Sequence, residues 1–129
     1  MANRRLNQSQ ALFSSLLGLL VLNAVMLLAL FAQVAPNPPG RFGPYIGTTI
    51  ALAAMALPLI TWQNRWGLLP ALLAALMSML SLGPHKLFFE PAAVLLWPVI
   101  LLGSVLIILV AVSGVGYWRS CTNSIQNER

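Results

Sequence analysis

Four stretches of the sequence, residues 6–40, 42–64, 66–85 and 91–118, contain no aspartate, glutamate, lysine or arginine. Each supplies the roughly 20 residues that an α-helix, rising about 1.5 Å per residue, needs to cross about 30 Å of hydrocarbon. Only 7% of the 129 residues are charged and 59% are hydrophobic, against about a quarter charged in soluble domains. The sequence therefore predicts an all-α integral membrane protein, a compact bundle of four transmembrane helices with short loops and no soluble domain.

The few charges set the topology. A net charge of +5 and a pI near 10.8 would point to nucleic acid if the cations formed one face. Here the seven basic residues stand singly or in pairs between apolar spans, which excludes a continuous phosphate-binding surface and leaves orientation as their role. With the N-terminus inside, Arg4, Arg5, Arg65, Arg119 and Arg129 are cytoplasmic, and Arg41 and Lys86 are outside. The positive-inside bias predicts both termini in the cytoplasm. The apolar run after Arg5 exceeds the about 7 to 15 residues of a signal peptide, so it reads as an uncleaved first helix. Cys121, the single cysteine, can form neither an internal disulfide nor a cysteine-based metal site alone.

Prolines, glycines and tryptophans divide the chain into spans at 11–34, 45–62, 66–83 and 91–118, with short polar tails at 1–10 and 119–129. The linker APNPPGRFGP cannot continue a helix. Only Gln63, Asn64 and Arg65 separate spans two and three, which predicts an antiparallel helical hairpin whose Trp62 and Trp66 sit at headgroup level. The stretch SLGPHKLFFEP holds the only histidine and the only lysine. Its residues suit a turn: Gly83–Pro84 ends a helix, and Glu90 and Pro91 favour the start of the next. Span four is longer than the hydrocarbon requires, and Pro98 offers a kink near its start.

Candidate chemistry is sparse. The spans hold no ionisable side chain of the kind that carries intramembrane proton relay. That argues against a proton-driven small multidrug exporter, a family of similar length whose first helix carries an embedded glutamate. Asn23 is the strongly polar residue of span one and is expected to bond a neighbouring helix, because an unpaired amide in hydrocarbon is costly. Serines 14, 15, 78, 81, 104 and 113 can return their hydroxyls to their own backbone. His85 is the one imidazole and the one possible ligand for a pigment or haem, a use that would need further ligands from elsewhere. No cofactor or metal is predicted, and no nucleophile, base and orienter are positioned together.

One pattern stands out. Gly67, Ala71, Ala74, Ser78 and Ser81 recur at steps of four and three along span three, which puts five small residues on one seam of a helix. Ser104, Ala111 and Gly114 extend the pattern in span four. Lipid is as apolar as leucine, so close backbone approach along small residues is a main source of helix attachment in a bilayer. These eight residues are the expected helix-packing or partner interface. The functional expectation is a non-catalytic accessory or assembly subunit that docks on a larger membrane complex. The alternatives are a small transporter or channel that forms as a homo-oligomer, and a pigment- or haem-associated subunit using His85.

Overall fold

The structure, a computed structural model, describes residues 2–33, 40–82 and 93–127. Four α-helices run through them: α1 (Ala2–Ala32), α2 (Gly43–Thr61), α3 (Leu68–Leu82) and α4 (Ala93–Asn127). Short 3-10 turns at Gly40–Phe42 and Arg65–Gly67 lead into α2 and α3. The 35–39 part of the proline-rich linker and the loop at 83–92, with His85, Lys86, Glu90 and Pro91, lie outside the described residues, as does Arg129.

Each helix packs on the next, and α4 closes back on α1. The result is a four-helix bundle. Leu12, Leu16, Ala56, Ala71, Ala74 and Val110 meet in its centre and are almost wholly buried. Large apolar side chains also cover the outside: Leu28, Phe31, Leu80, Ile108 and Val112 are each at least 60% exposed. A water-facing helix would present charged or polar residues on that side. Three segments, Leu6–Ala32, Gly40–Thr61 and Trp97–Thr122, are long and apolar enough to cross a membrane; the fourth, Arg65–Ser81, is shorter.

Helix boundaries differ from the sequence expectation mostly at the two polar tails. Residues 2–10 and 119–127 continue α1 and α4 as helix. Contact between the tails accounts for part of this extension, since Ser120 Oγ donates to Gln8 Oε1 at 2.7 Å. Gly116 makes room beside them, for a Cβ there would lie 2.7 Å from Gln8 Nε2. These residues are more than a hundred positions apart in sequence, and polarity alone reads them as frayed ends. At the other end of α4, the helix passes through Pro98 as one element. Helix α2 begins two residues earlier than expected and carries Pro44 in its first turn, where the missing N–H has no partner to lose.

The α2–α3 connection is a tight helical hairpin. The N–H of Gln63 donates to the Ile60 carbonyl at 3.0 Å and that of Asn64 to the Leu59 carbonyl at 2.9 Å. This is the Schellman arrangement, and it requires a left-handed residue after the helix end. Gln63 takes that role with φ 53°. Asn64 then caps the next turn, accepting from the Trp66 N–H on its side-chain oxygen at 3.1 Å. One helix end and the next beginning are thus satisfied within three residues.

Candidate functional site

Directly after this turn, α3 lays its small residues against the rest of the bundle. Gly67 is buried, and a Cβ built on it would lie 2.7 Å from Leu59 Cβ and 3.1 Å from the Ile60 nitrogen. That contact is with backbone as well as side chain, so a larger residue cannot be absorbed by a rotamer change. Ala71, Ala74 and Ser78 follow at 0% exposure, and Ser81 is half-buried. The opposite face of α3 carries Leu69, Leu73, Leu76 and Leu80, all exposed.

Polar bonds cross the bundle at this seam. Asn23, 1% exposed, donates through Nδ2 to the Leu19 carbonyl at 2.8 Å and to Ser78 Oγ at 3.1 Å. Its Oδ1 meets no donor among the described residues. Close by in sequence, the Tyr45 hydroxyl donates to the Met77 carbonyl at 2.7 Å and joins the start of α2 to α3. Sequence reasoning misses this bond because a tyrosine at the start of a span reads as an interfacial anchor.

The candidates of α4 divide. Gly114 is buried against α3, and a Cβ there would sit 3.0 Å from Leu68 Cδ1. Ser104 is half-buried and donates to the Ile100 carbonyl of its own helix at 2.7 Å. Ala111 faces outward and is exposed. Ser14 and Ser15 likewise return their hydroxyls to α1 carbonyls. His85 lies outside the described residues.

A second feature lies on the bundle's flank, where the start of α3 meets the end of α4. A groove of about 650 Å³ opens there, floored by Leu68 and Gly114 and walled by apolar side chains that include Leu69, Leu72 and Val115. Arg65 with Trp66 and Arg119 with Trp118 also line it. The Arg65 guanidinium lies 5.7 Å from the Trp66 ring centre, within cation–π range. In the sequence the two arginines serve only to count charge; the signal for more is that each adjoins a tryptophan, in the order Arg–Trp at the start of one helix and Trp–Arg near the end of another.

Trp118, at the rim of this groove, has a counterpart further back on α4. Trp97 and Trp118 are both exposed, and the 20 residues between them in this single helix correspond to about 30 Å at about 1.5 Å per residue. That is the thickness of a bilayer's hydrocarbon core, whose two borders attract tryptophan. No protein-family model, curated protein or solved structure matches this chain.

Proposed function

We propose that the chain is a four-span integral membrane protein without catalytic activity, and that it acts as an accessory or assembly subunit docked on a larger membrane protein. The supporting observation is the use made of interior polar groups: Asn23 bonds Ser78, and Tyr45 bonds the Met77 carbonyl. Both bonds hold helix to helix. The outer surface offers apolar side chains with small gaps among them, such as Ala111 between exposed Ile108 and Val112, and it suits lateral packing against another transmembrane helix.

Helix α3 serves as the fourth span in this reading. With its leading turn it provides 18 consecutive residues, 65–82, near the lower end of the about 17 to 25 that span a bilayer. An even number of spans puts both termini on one side. The Gln8–Ser120 bond joins the early part of α1 to the late part of α4, and Arg65 and Arg119 share one groove. The arginine bias makes that side cytoplasmic.

Gentle extraction followed by mass measurement of the intact particle tests the functional reading. The expected result is a stoichiometric complex with a larger membrane protein, from which Ala111→Trp releases this chain. A symmetric assembly of this chain alone would replace the reading by an oligomeric transporter or channel. Topology has its own test in intact cells. An impermeant thiol reagent should leave Cys121 unmodified and label a cysteine introduced at Gly40, and the reverse pattern would invert the orientation.

A further inference from the structure

The groove between α3 and α4 joins three properties. It is apolar along its length, it carries two cations, and it lies at the level where tryptophans mark a headgroup layer. Its volume of about 650 Å³ is within the roughly 300 to 1,000 Å³ of sites that hold small molecules. Leu69, Leu72 and Val115 are exposed in its walls, so in a bilayer an acyl chain can occupy it without displacing any packed core residue. Filling it requires only that lipid follow the surface.

Charge selects which lipid. Neither Arg65 nor Arg119 has a carboxylate partner among the described residues, and the chain's two acidic residues, Glu90 and Glu128, lie outside them. Two guanidiniums beside an apolar slot complement a phosphate on a hydrocarbon chain, since arginine presents a planar fork of donors that matches phosphate oxygens. Basic pockets between helices on the cytoplasmic side are a recurrent way to hold anionic lipid headgroups. A zwitterionic lipid brings the same phosphate, but its own ammonium offsets the attraction. An apolar transmembrane helix of a partner would fill the walls but bring no anion to the two guanidiniums, which favours the lipid.

We propose that this groove is a binding site for one anionic phospholipid, whose phosphate lies between Arg65 and Arg119 and whose acyl chain runs along Leu69, Leu72 and Val115. Gly114 is the residue that shapes the floor. Its lack of a side chain lets Leu68 approach α4, which a Cβ at 3.0 Å from Leu68 Cδ1 would resist. The inference rests on membrane insertion and is independent of any docked subunit.

The test uses the purified chain in mild detergent, titrated with phosphatidylglycerol or with phosphatidylcholine and read by native mass spectrometry. One phosphatidylglycerol should bind in preference to phosphatidylcholine. The double variant Arg65→Gln with Arg119→Gln should weaken it about thirtyfold, taking about 1 kcal/mol for each cation. The Lys pair at the same positions should retain the charge-driven part of the binding and lose the part owed to the planar fork, and Arg41→Gln, in the turn before α2, should change nothing. Because both arginines are exposed, these variants should fold; Val115→Trp, which fills an exposed wall, should exclude the lipid with the charges intact. Equal retention of both lipids, or unchanged phosphatidylglycerol binding in the double variant, would overturn the proposal. So would loss of a co-purifying protein from the double variant with lipid binding preserved, which would make the groove a protein contact.

Discussion

The two faces of α3 are built from different residues and do different work. On one, Ala71, Ala74 and Ser78 are buried, in line with buried Gly67 of the leading turn; on the other, Leu69, Leu73, Leu76 and Leu80 are exposed. In water the larger, more hydrophobic side would face inward. Here the smaller one does. The contrast is the one expected of a helix among lipid, where burying leucine gains little and close approach with interhelical hydrogen bonds supplies the attachment.

Substitutions across the two faces can break that contrast. The largest effect is expected at Gly67→Ala, whose new Cβ meets Leu59 and the Ile60 backbone. About 3 kcal/mol should be lost, at the upper end of overpacking penalties, as read from unfolding in a denaturing-detergent titration. A variant as stable as the parent would mean that the hairpin opens freely at this point.

Ala74→Leu puts bulk at a wholly buried position and should cost about 2 kcal/mol in the same titration. If stability held, the α3 seam would not be a close-packed contact. A double-mutant cycle with Asn23→Ala and Ser78→Ala should give a smaller coupling, about 0.6 kcal/mol, as interhelical hydrogen bonds in membranes commonly do. Coupling indistinguishable from zero would show that the 3.1 Å contact contributes only geometry. Smallest of all, Leu73→Ile on the exposed face should remain within about 0.5 kcal/mol of the parent; a large loss there would show that the leucine face is also packed.

How much of this is readable from sequence depends on whether the cause is local. The four-and-three spacing of small residues in α3 is a property of one helix, so it can be seen before any partner is known. The hairpin is legible because three residues between two apolar runs leave no other path. Contacts between distant residues are a different matter. Nothing adjacent to Gln8 points to Ser120, and nothing near Tyr45 points to the Met77 carbonyl; both depend on how the helices are arranged. Of the groove, the Arg–Trp pairs are visible in the sequence, but their convergence is not, because they belong to the start of α3 and the end of α4. Ala111 shows the converse limit, since a small residue on the right rhythm can still face outward.

The turn at Gln63 and Asn64 bears on the order of assembly during synthesis. Its bonds reach back only to Leu59 and Ile60 and forward only to Trp66 and Gly67, so every group it satisfies has emerged before α4 exists. Helices α2 and α3 can therefore pair as soon as both are made, with the backbone groups of the bend already bonded. The short α3 thereby has a packed neighbour as soon as it is made, and α4, the last helix in the sequence, closes the bundle against α1.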